Sequence, residues 1–540
     1  MRRLLRWHPL LFAVCPILWL YGHNIGELSP RALWPPLGVA LLFTGVLWLA
    51  LFALTRRDAA RAGLLTTLLV VLIFTYGHLY HVVADFAATI SHWPFIFLGI
   101  WLVIAAAYCW GVARWRADAA PVTDGLGVAG IVLLAFSLIG IARFEWGRLL
   151  TARQEHRRAR ISQNTDIPTD ALPNIYFIVL DSYAGPETMR RVYGFDNTPF
   201  LDALRARGFY VAEQSRANYC QTILSIPATL NLDYIPALTP LPDRRSTDRA
   251  PLERLVDDNL VCRTLKAYGY RTVLFPSSYE PINFPSDVDA EHIRGFGDFN
   301  IAVINSTPLL VCSLTAANTS FDAYAVHRRR ILATFNGVPD ALRLKGPIFV
   351  YAHILAPHQP LVFDELGNPI TGDPHRATQS GRHWREAPDD AAAETRKYRG
   401  EVRYLNTLTL RLIDTILQKS TRPTAILLQA DHGPGYLPDT EAELGQMSIP
   451  ERYQILNACY FPGGKTDELY PAISPINTFR VLFNTYLHTR LPLRPERCYF
   501  SPFLRPYHFL DVTDATHYGP GAAMSADADT RRRLRDYMRR

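Results

Sequence analysis

The chain has 540 residues, of which 49% are hydrophobic and 19% are charged, and its formal net charge is +7. A charged fraction below the roughly 25% usual for soluble proteins excludes a disordered or low-complexity chain, and the length predicts about three domains. Residues 1–150 hold 11 Arg, no Lys and 6 Asp or Glu, a net charge of +5, whereas the remainder carries only +2. The positive charge is therefore concentrated in the first part and does not indicate a nucleic-acid partner.

Five stretches without Asp, Glu, Lys or Arg predict five membrane-spanning helices. Each fits the requirement of about 20 apolar residues for a bilayer core of about 30 Å. A buried helix of a soluble protein would show a polar face, and a signal peptide would not be followed by four more apolar stretches. The stretches are Trp7–Gly26, Ala32–Thr55, Ala62–Ala84, Phe86–Ala113 and Gly125–Ala142.

The arginines between these stretches predict their orientation. Arginines precede the first stretch, lie between the second and third and follow the fourth, whereas the opposite loops hold only Arg31. The N-terminus is therefore predicted to be cytoplasmic, and an odd number of spans places everything after Phe144 outside. Arg outnumbers Lys 51 to 5, which is typical of a GC-rich bacterial genome. We expect a multi-pass protein of the bacterial inner (cytoplasmic) membrane with a periplasmic C-terminal domain.

Beyond residue 172, short apolar runs alternate with helical patterns. This alternation predicts an α/β domain with a mostly parallel sheet and helices on both faces. We predict a five-span anchor at 1–147, a linker at 148–172 and one extracytoplasmic catalytic domain at 173–540. The predicted strands are Ile175–Leu180, Arg271–Phe275, Pro347–Ile354, Thr424–Gln429 and Ala458–Phe461, and the predicted helices are Phe200–Arg207, Leu252–Tyr268 and Thr395–Gln418.

Polar residues capable of metal binding follow three of these strands. Asp181 ends the first strand, Asp431 and His432 follow the strand Thr424–Gln429, and His358 follows the strand Pro347–Ile354. Parallel strands present their carboxyl ends at one edge, where ligands bind. Carboxylates and imidazoles suit zinc or manganese. A cap on the following turn is the structural alternative for each acidic residue taken alone.

The order and spacing of these motifs resemble the alkaline phosphatase/sulfatase superfamily. Residues 173–181 resemble its opening strand, and residues 198–208 resemble its next helix. Ala430-Asp431-His432-Gly433 is similar to its metal-binding Asp-His-Gly, and His358 lies in a segment resembling its Pro-His-x-Pro. The resemblance covers about residues 173 to 500, and it implies an alkaline-phosphatase-like (sulfatase-like) fold for the catalytic domain.

With a five-span anchor in front, the chain looks like the lipid-using branch of that superfamily. This branch contains lipoteichoic acid synthases, phosphoglycerol transferases and lipid A phosphoethanolamine transferases, and its nucleophile is a threonine. Thr222 lies three residues before Ser225-Ile226-Pro227 and matches the spacing of that threonine. The resemblance implies that Thr222 is the nucleophile and a metal ligand. It also implies that Asp181, Asp431 and His432 bind the divalent metal, zinc or manganese.

The implied reaction moves a phospho-alcohol group, phosphoethanolamine or phosphoglycerol, from a phospholipid donor to an envelope glycan or lipid acceptor. It would pass through a phospho-threonine, because a threonine hydroxyl activated by a metal is the nucleophile. His358 could bind substrate phosphate, protonate a leaving group or hold a second metal. His353 is a further substrate-binding candidate, with packing at the strand end as its alternative.

Several residues depart from the family patterns. Asp181 stands where the lipid-using branch usually has Glu, and Ser182 follows it where sulfatases usually have a second Asp. The sequence around Cys220 lacks the Pro and Arg that accompany conversion to formylglycine. A sulfatase-like hydrolase or phosphodiesterase is one alternative function, and a non-catalytic envelope assembly protein is another. Ser225 is the alternative nucleophile, and capping of a helix is the structural alternative for Thr222.

Overall fold

The structure is a computed structural model. It describes residues 7–25, 28, 30–84, 92–115, 118–152, 161, 167–289, 298–315, 322–370, 388–518 and 528–539. The chain divides into two compact units. The first comprises Met1–Leu150, Gly295–Val326 and Gly372–Thr378, and the second comprises Thr151–Arg294, His327–Thr371 and Gln379–Arg540. The boundaries 1–147, 148–172 and 173–540 stay a prediction.

Helices dominate the first unit and surround the sheet of the second. The helices are α1 His8–His23, α2 Trp34–Leu54, α3 Ala59–Ala84, α4 Trp93–Arg114, α5 Ala120–Ala152, α6 Pro186–Arg191, α7 Thr198–Ala206, α8 Thr222–Leu230, α9 Ile235–Leu238, α10 Ala250–Asp257, α11 Leu260–Ala267, α12 Asp298–Asn305, α13 Leu310–Thr315, α14 Ala323–Gly337, α15 Pro388–Lys419, α16 Ile449–Tyr453, α17 Pro475–Leu487 and α18 Ala528–Arg539. The strands are β1 Asn174–Leu180, β2 Phe209–Val211, β3 Arg271–Phe275, β4 Val288–Asp289, β5 Ile348–Ile354, β6 Thr424–Gln429, β7 Asn457–Tyr460, β8 Tyr499–Phe500 and β9 Leu510–Asp511.

Four helices of the first unit are long and apolar enough to cross a membrane. Apolar side chains such as Leu42 and Phe136 are exposed on them, as expected of surfaces that face lipid. α1 has only 16 residues, fewer than the about 17 needed to span. Within the described residues the structure thus supports four spans, and the fifth stays a prediction. The four are Trp34–Leu54, Ala59–Val83, Trp93–Arg114 and Ala120–Trp146.

The second unit contains a seven-stranded sheet with the order β2-β7-β6-β1-β5-β3-β4. The pairs β6–β1, β1–β5, β5–β3 and β3–β4 are parallel, and only β7 pairs antiparallel, with β2 and β6. Every residue of β1, β5 and β6 is buried, as expected of a parallel sheet covered on both faces. This confirms the predicted mostly parallel α/β fold, and it places β1 between the two strands that carry the other candidate residues.

The predicted single helix Leu252–Tyr268 is wrong, because two helices, α10 and α11, occupy that stretch. Asn259 separates them, and its side-chain oxygen accepts a hydrogen bond of 2.8 Å from the backbone N–H of Cys262. An asparagine in this position caps the second helix and ends the first. The predicted strands agree with the observed ones to within one residue at each end.

Candidate metal and catalytic site

The parallel pairing of β1 with β6 brings Asp181 and Asp431 together. Val179 is in register with Gln429, so the two carboxylates follow equivalent positions at the ends of adjacent strands. Asp181, Asp431 and His432 are all buried, and each offers a ligand atom within 4.8 Å of the other two. This is the geometry of a site that could hold one metal ion.

The ring of His432 is oriented with one nitrogen toward this cluster. Its Nδ1 lies 3.0 Å from the carbonyl oxygen of Gly433, which makes Nδ1–H the donor and leaves the lone pair on Nε2. Nε2 lies 3.4 Å from Asp431 Oδ2 and 4.0 Å from Asp181 Oδ1. Burial, followed by the charge of Arg452, lowers the pKa of His432 to about 4. The imidazole is therefore neutral and able to bind a metal at neutral pH.

Ser182 connects the carboxylates of Asp181 and Asp431. Its hydroxyl donates to Asp181 Oδ1 over 2.9 Å, and its backbone N–H donates to Asp431 Oδ1 over 3.3 Å. Its φ of +62° is in the left-handed region, an unusual conformation for a non-glycine residue. Oδ2 of Asp431 is buried and accepts no hydrogen bond from the described residues. A buried carboxylate oxygen without a donor is costly, and a cation would satisfy it.

The carboxylate of Asp181 contacts the imidazole of His353. Nε2 of His353 lies 3.0 Å from Asp181 Oδ2, and its Nδ1 lies 3.3 Å from the hydroxyl of Tyr351. Burial alone would raise the pKa of Asp181, but the neighbouring histidines, His358 foremost, outweigh burial and hold that pKa below its usual range. Because both ring nitrogens of His353 are engaged, the imidazole fixes the orientation of the Asp181 carboxylate. A substrate-binding role for His353 stays a prediction.

Thr222 is the first residue of α8 and points at the same cluster. Its Oγ1 lies 3.1 Å from His432 Nε2. The N-cap of α8 is Gln221, and no side chain makes a capping hydrogen bond there, so capping does not explain Thr222. The alternative nucleophile Ser225 is buried, and its hydroxyl donates to the carbonyl oxygen of Tyr219 over 3.0 Å. Of the two hydroxyls, only that of Thr222 contacts the cluster.

His358 is half-buried, and its electrostatic interaction with Asp181 lowers the pKa of that carboxyl. Its Nδ1 contacts the carbonyl oxygen of Gln359 at 2.6 Å. His327, on α14, lines a small cavity together with His353. Burial lowers the pKa of His327 to about 3, and its Nε2 has no hydrogen-bond partner in the described part of the chain. The sequence analysis missed His327, because it follows no strand.

Arg452 is a second site residue that the sequence analysis missed. Its Nη2 lies 3.3 Å from His432 Nε2, its Nε donates to the carbonyl oxygen of Cys220 over 2.8 Å, and its Nη1 donates to the carbonyl oxygen of Gly435 over 2.8 Å. The guanidinium is therefore fixed beside the cluster of Asp181, Asp431 and His432. It comes from the short helix α16, and nothing in the local sequence distinguishes it from the other 50 arginines.

Close packing of two backbones explains the glycine of the Asp-His-Gly motif. A Cβ atom at Gly433 would lie 2.0 Å from the carbonyl oxygen of Glu451. The backbone N–H of Gly433 donates to the carbonyl oxygen of Arg452 over 2.8 Å. Only glycine permits this approach, which holds Arg452 next to His432.

The residues present fit a divalent cation. They offer two carboxylates, a neutral imidazole and a hydroxyl. The orphaned oxygen of Asp431 lies 3.4 Å from His432 Nε2, which also contacts the Thr222 hydroxyl and Arg452. Oxygen and nitrogen donors of this kind suit zinc or manganese. Asp181, Asp431, His432 and Thr222 would hold such an ion.

Comparison with protein families gives one match, to the family model described as Sulfatase, over residues 173–479. This range runs from the start of β1 into α17 and contains every candidate residue named above. No curated protein matches the chain.

Solved structures give distant similarities. The C-terminal periplasmic domain of Escherichia coli EcEptC, in complex with zinc, is 12% identical with a TM-score of 0.43, covering 67% of this chain and 98% of that one. The integral membrane lipooligosaccharide phosphoethanolamine transferase A of Neisseria meningitidis is 13% identical with a TM-score of 0.39, covering 91% and 99%. The 2-O GAG sulfatase BT1596 is 12% identical with a TM-score of 0.35, covering 59% and 72%. Similarity at this level carries no argument about activity.

Proposed function

Because the chain belongs to the sulfatase family, a family of enzymes in the alkaline phosphatase superfamily, we propose that it is a membrane-anchored, metal-dependent transferase. It moves a phospho-alcohol group, phosphoethanolamine or phosphoglycerol, from a phospholipid to an envelope glycan or lipid. The group passes through a covalent phospho-threonine at Thr222.

The observation that carries this proposal is the contact of 3.1 Å between Thr222 Oγ1 and His432 Nε2. It brings a hydroxyl next to the imidazole of the buried cluster of Asp181, Asp431 and His432. The hydroxyl also lies at the N-terminus of α8, where the backbone N–H groups and the helix dipole favour the negative charge of a phosphoryl group.

The chemistry then proceeds in two displacements. The Thr222 oxygen forms a bond to phosphorus while the bond between phosphorus and the lipid oxygen breaks, and the hydroxyl proton passes to the departing lipid alkoxide. The oxygen of an acceptor hydroxyl next forms a bond to the same phosphorus while the bond between phosphorus and Thr222 Oγ1 breaks, and the acceptor's proton passes to Thr222 Oγ1. A divalent cation bound by Asp181, Asp431 and His432 would supply a lowered pKa for the Thr222 hydroxyl and neutralise phosphoryl charge.

Two side chains beside the cluster suit the remaining tasks. Arg452 is fixed by carbonyl oxygens with its Nη2 next to His432, so it can bind a phosphoryl oxygen as charge develops there. His358 is half-buried, and it can relay the proton of the Thr222 hydroxyl to the leaving oxygen. His353 contacts Asp181 Oδ2 over 3.0 Å and serves to position that ligand.

The membrane anchor supports a lipid donor. Four apolar helices of spanning length precede the catalytic unit, and α1 completes the proposed five-span anchor with a cytoplasmic N-terminus. This arrangement keeps a periplasmic catalytic domain on the inner membrane, within reach of phospholipid headgroups. It also matches the order of elements in the lipid-using branch that the sequence resembles.

Hydrolysis within the same family is the second candidate, because water could replace the acceptor in the second displacement. A sulfatase reaction through formylglycine is disfavoured by the position of Cys220. Its thiol is buried, with Sγ 3.4 Å from the carbonyl oxygen of Ser501, and burial raises its pKa. The residue that contacts the cluster is Thr222, two positions later.

The Thr222 adduct can be detected by mass spectrometry of the full-length protein after incubation with phospholipid vesicles and without acceptor. We expect the peptide containing Thr222 to gain the mass of one phospho-alcohol group. Thr222→Ala should abolish the adduct and reduce turnover to background, whereas Thr222→Ser keeps a hydroxyl and should still form it. An active wild-type protein with no adduct, or with one at Ser225, would contradict the proposal. An adduct that decays equally with and without acceptor would indicate hydrolysis.

A further inference from the structure

An uncharged run lies within residues 173–540, the range that the sequence predicts for the catalytic domain. From Phe299 to Phe321, 23 residues contain no Asp, Glu, Lys or Arg. The described part of this run forms two short helices, α12 and α13, joined by a turn at residues 306–309. The Ser306 hydroxyl donates to the Val303 carbonyl and the Thr307 hydroxyl donates to the Ile304 carbonyl, each over 2.7 Å. The two hydroxyl groups of the turn are thus satisfied within the hairpin.

This hairpin, residues 298–315, belongs to the compact unit of the N-terminal helices. Phe299 packs edge-on against Tyr21 of α1, with ring centroids 6.2 Å apart, and joins a buried cluster with Phe74 of α3. Leu310 joins a second buried cluster with Phe97 of α4. The hairpin therefore packs against three of the N-terminal helices.

Gly77 of α3 shows how closely the hairpin approaches. Its backbone N–H donates to the carbonyl oxygen of Ser306 over 3.0 Å, and a Cβ atom at Gly77 would lie 1.9 Å from the carbonyl oxygen of Asn305. Gly77 precedes the end of α3 at Ala84 by seven residues, which is about 10 Å along the helix axis. The turn therefore contacts α3, an apolar helix of spanning length, about 10 Å before its C-terminal end.

We propose that residues 298–315 form a re-entrant hairpin that is embedded in the membrane among the anchor helices, with Leu309 in contact with lipid acyl chains. Non-helical backbone is tolerated at membrane depth only where protein buries it, and Asn305, Ser306 and Thr307 are buried. Leu309, beside Pro308 in the turn, is 44% exposed, and an apolar side chain exposed at this depth faces hydrocarbon. The anchor therefore has a component that comes from later in the chain, between β4 and β5.

The proposal is independent of the transfer reaction and can be tested without a substrate. A nitroxide spin label is placed at Leu309→Cys in the full-length protein reconstituted into phosphatidylethanolamine/phosphatidylglycerol vesicles, with Cys109, Cys262 and Cys312 replaced by alanine. The matched water-exposed control is Leu366→Cys, a leucine that is 78% exposed in the catalytic unit. We expect collisions of the Leu309 label with oxygen to exceed those with a water-soluble nickel complex by several-fold, and the reverse at Leu366. A label at Leu309 that behaves like the one at Leu366 would overturn the proposal.

A glycine pair tests whether the hairpin is seated against α3. Gly77→Ala should push the hairpin out and move the Leu309 label toward nickel accessibility. Gly99→Ala, on α4, adds a Cβ atom with no heavy atom within 4 Å and should leave the label unchanged. Equal nickel accessibility of the Leu309 label in the two variants would contradict the packing of the hairpin against α3. The accessibility of the label without either glycine substitution tests the membrane depth separately.

Discussion

Asp431 and His432 are adjacent in the chain, yet different parts of the molecule hold their side chains. The backbone N–H of Ser182, from the end of β1, fixes one oxygen of Asp431, and the Gly433 carbonyl fixes the ring of His432. Asp431 Oδ2 is left without a hydrogen-bond donor among the described residues, and it lies 3.4 Å from His432 Nε2, which contacts the Thr222 hydroxyl. A site assembled in this way is preorganised, because metal binding requires no rotation of either side chain.

Replacing Asp431 by asparagine keeps the size of the side chain but removes the charge and one of the anionic donors. We expect purified full-length wild-type protein to carry about one zinc or manganese ion per chain, and Asp431→Asn to carry almost none, as measured by plasma mass spectrometry. Asp414→Asn removes a carboxylate that pairs with Arg207 on the surface and is the matched control. Equal metal content in the two variants would refute the assignment of Asp431 as a ligand.

At the scale of elements, the residues that the sequence identified are those that follow strands. Asp181, Asp431 and His358 each come after a short apolar run, and the rule that parallel strands end at one edge was sufficient to group them. Arg452 and His327 lie on helices α16 and α14, where approach to the site depends on tertiary packing that no local pattern encodes. The hairpin of α12 and α13 escapes prediction for a different reason, because its helices have only 8 and 6 residues and neither gives the signal of about 20 apolar residues that marks a membrane span.

Helix α15 contains a buried glutamic acid, Glu401, whose titration makes the stability of the protein depend on pH. Glu401 Oε2 accepts hydrogen bonds from the backbone N–H groups of Val362 and Phe363, at 2.6 and 3.2 Å. Oε1 is buried without a partner in the described part of the chain. Burial raises the pKa of Glu401 to about 8. Since the unfolded chain releases this proton near pH 4.5 and the folded chain retains it, stability is lost as pH rises from about 4.5 to about 8.

Glu401→Gln removes this titration while keeping an oxygen for the two N–H groups. We expect the melting temperature of the wild-type protein in detergent to fall between about pH 5 and pH 8 relative to that of Glu401→Gln. The corresponding loss in the free energy of unfolding is on the order of a few kcal/mol. Glu365→Gln, on an exposed ion pair with Arg403, is the control and should follow the wild-type profile. Parallel pH profiles for wild type and Glu401→Gln would show that Glu401 is ionised in the folded protein.

On the scale of the whole molecule, the net charge of +7 separates into two components with different physical roles. The N-terminal arginines lie between apolar segments and predict the side of the membrane on which each loop lies, whereas the catalytic unit is close to neutral. Composition could reveal this division, but it could not show that the compact unit of the anchor also takes residues 295–326 from later in the chain. That assignment depends on contacts between residues more than 200 positions apart, such as that of Tyr21 with Phe299.

The orientation and the number of spans can be settled with single cysteines and a membrane-impermeant maleimide, after Cys109, Cys262 and Cys312 are replaced by alanine. We expect Leu366→Cys to react in intact spheroplasts, because a chain with five spans and a cytoplasmic N-terminus places the catalytic unit outside. Trp7→Cys and Arg57→Cys should react only after the membrane is permeabilised. Trp7, before α1, and Arg57, between α2 and α3, share a side only if α1 crosses the membrane. Labelling of Trp7→Cys in intact spheroplasts, with Arg57→Cys protected, would therefore reduce the anchor to four spans, and protection of Leu366→Cys would invert the orientation.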